Sequence, residues 1–307
     1  MAQIMQPMKI SIVVPFYEKI HFLERLMNSI EKAIQQSVHQ FEIIVIIDSP
    51  ETNPETIQAL LVKRFHSFKE QVGFQAIHNS KNSGVAQSRN IGLELATGQW
   101  IHFIDQDDCI LPFIYTEPLL KESVDFILFN GEFIYENNLA HAIYFLAPTL
   151  NTKHLILDDF IRSPGQVMLK KHFIGHTRFR TAICNKGCDD RFFWIELFAN
   201  NPDLNAKYIG VKAYQAYLHA SNFGNNVKGL YACSIALWEE LKANMPLIYQ
   251  SNIAQNVALL DYLVHRKKSW ANISAYIQYQ LNANKWIRFI YKRTLLLYFQ
   301  LKPTAHD

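Results

Sequence analysis

The chain is 307 residues long, 49% hydrophobic and carries a formal net charge of +3, which excludes a disordered chain and gives no charge-based case for nucleic-acid binding. The basic excess sits late: from residue 251 onward eight Lys/Arg face two Asp/Glu, so the first 250 residues are slightly acidic. Such a length suits one large domain or a core domain with an appendage.

The opening "MAQIMQPMKISIVVP" has no basic start, long apolar core or small-residue cleavage site, and nowhere do about 18 apolar residues run together. These features predict a cytoplasmic chain without a membrane span. Its four cysteines, Cys109, Cys184, Cys188 and Cys233, are expected as thiols. "KISIVV" (9–14) reads as a buried strand stopped by Pro15, and "EKIHFLERLMNSIEKAIQQ" as a helix with Ile20, Leu23, Leu26, Met27, Ile30 and Ile34 on one face. "FEIIVIID" (41–48) is a second strand, followed by a Ser/Pro/Asn-rich loop and a helix from Pro54 to His66. "VGFQAIH" (72–78) is a third strand. Residues 83–97 read as a third helix with Gly98 as its stop. "WIHFID" (100–105) and "VDFILFN" (124–130) are the fourth and fifth strands. Between 131 and 220 the pattern is less regular, with short strands, a helix from Asp189 to Asn200 and aromatic "YIGVKAYQAYLH"; after Asn225 only helices are read, through Lys302.

Buried strands alternating with helices predict an α/β, Rossmann-like, mostly parallel sheet flanked by helices, and a soft boundary near 222 precedes a helical C-terminal region, 223–307. Ligands of such sheets sit beyond the carboxyl ends of the strands. Pro15–Glu18, Asp48 and Asp105–Asp108 each follow a strand and are therefore expected on one rim. "DQDDC" (105–109) puts three carboxylates in four positions. A calcium loop is excluded, because its sixth and twelfth positions, counted from Asp105, hold Ile110 and Thr116. Hard carboxylates at a strand end suit Mg²⁺ or Mn²⁺ shared with substrate phosphates. Neither GxxxxGK[ST] nor GxGxxG is present.

In their order, "ISIVVPFYE", "FEIIVIIDS" and "NSGVAQSRNIGLELATGQWIHFIDQDD" resemble glycosyltransferase family 2, inverting enzymes of the GT-A fold that use nucleotide-sugar donors. The resemblance divides 1–222 into a donor-binding half, about 1–110, and an acceptor-side half, about 111–222. It implies a DxD motif at Asp105, Gln106 and Asp107, with Asp107 the leading metal ligand for Mn²⁺ or Mg²⁺ and Asp105 toward the donor's ribose and phosphate. Pro15, Phe16, Tyr17, Glu18 and Asp48 match base contacts, with uracil and hence UDP favoured through Asp48. Arg89 and Asn90 match a pair lining the donor site. The chain departs from the family at Glu18, where Asn is usual, and at Ser49–Pro50, where a second Asp usually follows Asp48. "GCDDRFFWIELF" (187–198) resembles the family's catalytic-base segment: aligned on "FFW" the base is Asp190, and slid by one residue it is Asp189. "YLHASN" (217–222) resembles the His segment that closes over the phosphates, which makes His219 a phosphate or metal contact.

The activity so implied is transfer of a sugar from a nucleoside-diphosphate donor to a saccharide or lipid-linked acceptor in surface polysaccharide or lipooligosaccharide assembly. Sugar nucleotidyl transfer and a non-catalytic nucleotide-sugar-binding scaffold are the rival readings. "PFYEKIHF" lacks the Gly-rich, basic loop that the first rival needs, and retention of both the metal acids and a base argues against the second. His172, His176, Cys184 and Cys188 have spacings open to a structural zinc. "KWIRFIYKRTLLLYFQLK" (285–302) reads as a basic, aromatic helix that either lies on an anionic bilayer surface or packs on its own domain or a second copy of the chain.

Overall fold

A computed structural model describes residues 7–116, 123–182, 188–218 and 227–265. It begins with β1 (Lys9–Phe16), α1 (Ile20–Ile34), β2 (Gln40–Ile47), α2 (Pro54–Phe65), β3 (Val72–His78), α3 (Val85–Leu95) and β4 (Trp100–Phe103). The middle of the chain supplies β5 (Cys109–Ile110), β6 (Phe126–Tyr135), β7 (Ala140–Ala142), α4 (Thr152–Asp158), β8 (Val167–Lys170), α5 (Asp189–Asn200) and β9 (Ala206–Leu218). Two helices follow, α6 (Val227–Asn244) and α7 (Leu247–His265). The segment 285–302 lies outside the described residues. Among those described, no helix is long and apolar enough to cross a membrane.

The sheet runs in the order β3-β2-β1-β4-β8-β6-β9-β5, with β7 beside β6. β1 through β4 pair in parallel. β8 lies antiparallel to both β4 and β6, so β6 and its parallel neighbour β9 run the same way as the first four. Six of the nine described strands therefore run the expected parallel way, while β8 inside the sheet and the short β5 and β7 are reversed. Ile10–Phe16 of β1 and Phe41–Ile47 of β2 are buried throughout, as uninterrupted apolar strands require when helices cover both faces. α1 turns Leu23, Leu26, Met27, Ile30, Ala33 and Ile34 inward; full burial of each large side chain among these is worth roughly 1.5–3 kcal/mol. α2 opens on Pro54, with the Asn53 side chain accepting from the Glu55 amide at 2.9 Å, a cap that fixes where the helix begins. Two compact units part between Leu237 and Trp238, within α6.

Gly98 has a different job from the helix stop expected of it. α3 already ends at Leu95, and Ala96 after it is extended at φ −61°, ψ 130°. The Gly98 amide instead donates to Ser11 Oγ at 2.8 Å and Glu42 Oε1 at 2.9 Å. Hydrogen bonds from Ser11, Thr97 and Lys9 hold the Glu42 carboxyl down at about 2, against a burial effect that pushes it up. A Cβ on Gly98 would stand 2.5 Å from Ser11 Oγ, 2.7 Å from Ser11 N and 2.9 Å from Lys9 O. Two of those neighbours are strand backbone and cannot swing away. Gly98→Ala is therefore expected to cost about 2–4 kcal/mol, from overpacking and loosened hydrogen bonds. Urea unfolding measures it, and an unchanged midpoint contradicts the close-approach argument.

Candidate active site

The acidic turn Asp105–Asp108 leaves the carboxyl end of β4, and its three carboxylates meet different surroundings. Asp108 is buried; its carboxylate accepts from the Tyr214 hydroxyl and, at 3.1 Å, from the Tyr217 amide, both on β9. Burial, then the charges of Asp107 and Asp105, raise the Asp108 pKa well above the ordinary carboxylate value. Tyr214 also shares a 2.6 Å hydrogen bond with Ser163. Gln106 turns to the loop after β1: its Oε1 accepts from the Tyr17 amide at 2.6 Å and its Nε2 donates to the Tyr17 carbonyl at 2.9 Å. Two strand-end loops are thereby locked together. The β1 loop itself carries two non-glycine residues at positive φ, Glu18 at 54° and Lys19 at 28°, a backbone conformation that L side chains adopt at a cost. Asp107 presents its carbonyl to Arg25 of α1.

Arg89, on α3, joins the turn to the start of α5. One guanidinium nitrogen donates to Asp105 Oδ1 at 2.5 Å and another to Asp189 Oδ2 at 2.8 Å. The Arg89 side chain is 5% exposed and Asp189 is 3% exposed, so this is a buried bridge. Burial works against the cation, but Asp105, Asp189 and Asp190 outweigh it and raise the Arg89 pKa above its ordinary value. The guanidinium lies 5.3 Å from the Phe179 ring centre, and that ring stacks on Phe193 of α5 at 4.0 Å. Asp190, the next residue, accepts from the Arg191 amide at 2.8 Å. Burial, then the Asp189 charge, push its carboxyl up to about 7, with Arg89 opposing. A carboxylate poised near neutrality beside an already paired partner has the proton affinity a general base needs.

The other sequence-predicted positions are placed as follows. Pro15 and Phe16 are buried within β1, and Tyr17 is 46% exposed on the loop beyond it. Asp48, at the end of β2, is 4% exposed. Its Oδ1 accepts from Asn79 Nδ2 at 2.8 Å and the Ser83 amide at 2.9 Å, and its Oδ2 from the Gly84 amide at 2.7 Å. It thus holds the N-terminus of α3, where a negative charge is favourable, and so fixes the helix that carries Arg89. Asn90 pairs its side-chain amide with the Phe179 backbone, donating to its carbonyl and accepting from its amide, both at 2.9 Å. His219 and Cys184 lie outside the described residues.

No group of three or more His, Cys, Asp and Glu stands ready to hold a metal among the described residues. Asp105 and Asp107 are partly exposed, whereas Asp108 is engaged by β9. One or two hard oxygens at a rim fit a Mg²⁺ or Mn²⁺ ion that completes its shell with phosphates and water; they do not fit a closed protein cage. For the zinc reading, Cys188 hydrogen-bonds Ser234 at 3.1 Å, and the His172 ring packs on Phe173 at 4.2 Å.

Three residues at this site were missed by sequence reading: Arg25, Tyr214 and Tyr217. Arg25 lies between buried Leu23 and Leu26 on α1, a charge at the edge of an apolar face. β9 reads poorly because the β6–β9 ladder shifts register at Phe129/Asn130 and again at Asn130/Gly131. The shift leaves adjacent Ala213 and Tyr214 both buried, which breaks the alternation that marks a strand.

Residues 11–125 match the family model described as Glycosyl transferase family 2. Over 103 residues the chain is 33% identical to an uncharacterized glycosyltransferase of Haemophilus influenzae, covering 34% of this chain and 31% of that protein. It is 22% identical over 252 residues to the poly(ribitol-phosphate) beta-N-acetylglucosaminyltransferase TarS of Staphylococcus aureus, covering 76% of this chain and 39% of TarS. The chain thus spans between about a third and two fifths of these relatives' lengths. In fold, it matches the crystal structure of TarS 1–349 in complex with UDP-GlcNAc with a TM-score of 0.60 at 17% identity, covering 89% of this chain and 79% of that one. The mannosyltransferase PcManGT of Pyrobaculum calidifontis, in complex with GDP-Man and Mn²⁺, matches with a TM-score of 0.50 at 14% identity, covering 95% and 81%. These likenesses establish the GT-A fold, a mixed sheet flanked by helices.

Proposed function

We propose, from the match of residues 11–125 to the Glycosyl transferase family 2 model and from the GT-A fold, that the chain is an inverting glycosyltransferase. It moves a sugar from a nucleoside-diphosphate donor to a hydroxyl of a saccharide or lipid-linked acceptor, with surface polysaccharide or lipooligosaccharide assembly as its setting. The observation that carries this reading is the bridge from partly exposed Asp105 through buried Arg89 to buried Asp189, which fastens the strand-end acids to the helix bearing Asp190. Donor chemistry belongs on the strand-end side and acceptor chemistry on the α5 side; Arg89 sets their spacing.

Asp190 takes the proton from the attacking acceptor hydroxyl, and Asp189, held by Arg89, keeps the start of α5 in register. Attack from the face opposite the leaving group inverts the anomeric centre. Gln106 and Tyr17 hold the two donor-side loops together. A divalent ion at Asp107, when bound, supplies positive charge to the departing diphosphate. UDP is the favoured carrier, supported by the TarS complexes with UDP and UDP-GlcNAc.

The test is donor hydrolysis with UDP-N-acetylglucosamine and Mn²⁺. Slow release of UDP supports transfer chemistry, whereas formation of UTP and N-acetylglucosamine 1-phosphate once pyrophosphate is added points to nucleotidyl transfer. Binding with neither product points to a scaffold. Asp107→Asn is expected to weaken Mn²⁺-assisted donor binding at least tenfold, about 1.4 kcal/mol. Undiminished binding in calorimetry removes Asp107 as the ligand.

A further inference from the structure

The acidic turn is held from behind by two elements that the proposed chemistry does not use. On α1, Arg25 donates to the Asp107 carbonyl, and one helical turn later Ser29 Oγ accepts from the Ile110 amide at 3.2 Å. On β9, Tyr214 and Tyr217 engage the two oxygens of Asp108. The elements meet where the Arg25 guanidinium lies on the Tyr217 ring, 3.7 Å from its centre. Arg25 Nε is buried with no hydrogen-bond partner among the described residues, and the Phe22 ring, 5.3 Å from the guanidinium, and Cys109 also border it, so the stack and the Asp107 contact act within a packed site.

We propose that Arg25 and Tyr217 form a clamp that positions the Asp107 carboxylate, so that donor affinity depends on two residues that act through the turn and not on the substrate. The inference rests on Asp107 being the donor-side ligand. Its physical content is preorganisation. Asp107 sits in a four-residue turn, and a carboxylate that must meet a small ion within a few tenths of an ångström gains affinity when its backbone is fixed beforehand. The carbonyl that Arg25 holds belongs to Asp107 itself, and the ring beneath Arg25 belongs to the residue whose amide holds Asp108. Loosening either member releases the turn on both sides. Lysine cannot replace the arginine, because an ammonium has neither the flat face nor the fork.

Calorimetry of UDP with Mn²⁺ on the full chain tests the clamp. Arg25→Met and Tyr217→Leu are each expected to weaken binding about tenfold, whereas Tyr217→Phe, which keeps the ring, stays near wild type. Arg25→Met and Tyr217→Leu combined are expected to lose no more than either alone, as residues acting as one unit do. In an Asp107→Asn background, Arg25→Met is expected to change UDP affinity no further. An additional loss there means that Arg25 meets the donor directly, and the clamp is overturned. Wild-type affinity in both Arg25→Met and Tyr217→Leu overturns it as well. No UDP binding by the folded wild type overturns the donor-site reading, and the clamp with it. Thermal melts of each variant separate an altered site from an unfolded one, and Tyr217→Leu carries the test should Arg25→Met fail to fold.

Discussion

Asp190→Asn is expected to cut turnover by roughly 10²–10⁴-fold, the usual worth of a general base, while leaving donor binding nearly intact. The two acids at the start of α5 divide the labour. Asp189 spends its charge on Arg89 at 2.8 Å. Asp190, crowded by that buried charge and by its own burial, holds its proton up to about 7. The wild-type kcat/KM is therefore expected to rise with pH through a midpoint near 7 and to level off above it, and Asp190→Asn loses that limb. Stability moves the opposite way. The folded-state pKa lies above the ordinary value of 3.8, so the native state binds more protons than the unfolded chain between about pH 4 and pH 7 and loses stability as pH rises across that window. Asp190→Asn escapes the loss, and its melting temperature is expected to gain on the wild type from about pH 4 to pH 7 and to keep a constant lead beyond. A variant that is both less active and more stable at pH 8 separates Asp190 from Asp189, whose removal leaves Arg89 underpaired. If Asp189→Asn shows the slow, stable phenotype instead, the base is one residue earlier.

What could be read from the sequence was whatever depends on local pattern. β3 and α5 fall on the residues their pattern marked, Val72–His78 and Asp189–Asn200, because apolar Val72, Phe74 and Ala76 alternating along a short strand, and an acid-led helix, carry their own boundaries. The rim also follows from local rules, since Asp48 comes directly after β2 and Asp105 two residues beyond the end of β4, both parallel strands. What could not be read is partnership. Nothing near Asn90 announces the Phe179 backbone, 89 residues on, and nothing near Asp108 announces Tyr214, 106 residues on. β8 and β9 were hidden for different reasons. The first is four residues long and reversed within the sheet. The second carries the register shift that buries neighbours in succession. The acids that cluster in sequence are thus sorted into roles only by residues remote in sequence: Arg89 for Asp105, β9 for Asp108, α1 for the backbone of Asp107.

Arg89→Met is expected to be the most damaging single change in the site. It removes the cation between Asp105 and Asp189, and breaking a buried pair by deleting one partner costs about 3–5 kcal/mol, because the remaining charge is left in a poorly solvated place. For a unit of this size that corresponds to a drop in melting temperature on the order of 10 °C. The effect has a pH signature. Burial already raises the Asp189 pKa while Arg89 pulls it down, so without Arg89 the carboxyl rises further and the native state must either take up a proton or hold an unpaired charge. The gap in melting temperature between wild type and Arg89→Met is thus expected to be widest above neutral pH and to narrow toward pH 5, where protonation of Asp189 relieves the strain. Adding Asp189→Leu removes the stranded buried charge and is expected to restore much of the lost stability, as apolar replacement of a whole buried pair does, without restoring transfer. Arg89→Lys supplies one ammonium where a fork reaches two carboxylates and is expected to fall between wild type and Arg89→Met in stability while staying low in turnover, since the spacing of the strand-end acids from Asp190 is no longer set. A melting temperature within about 2 °C of wild type for Arg89→Met at pH 8, well under what the loss of a buried pair implies, contradicts the bridge as the joint between the two sides of the site.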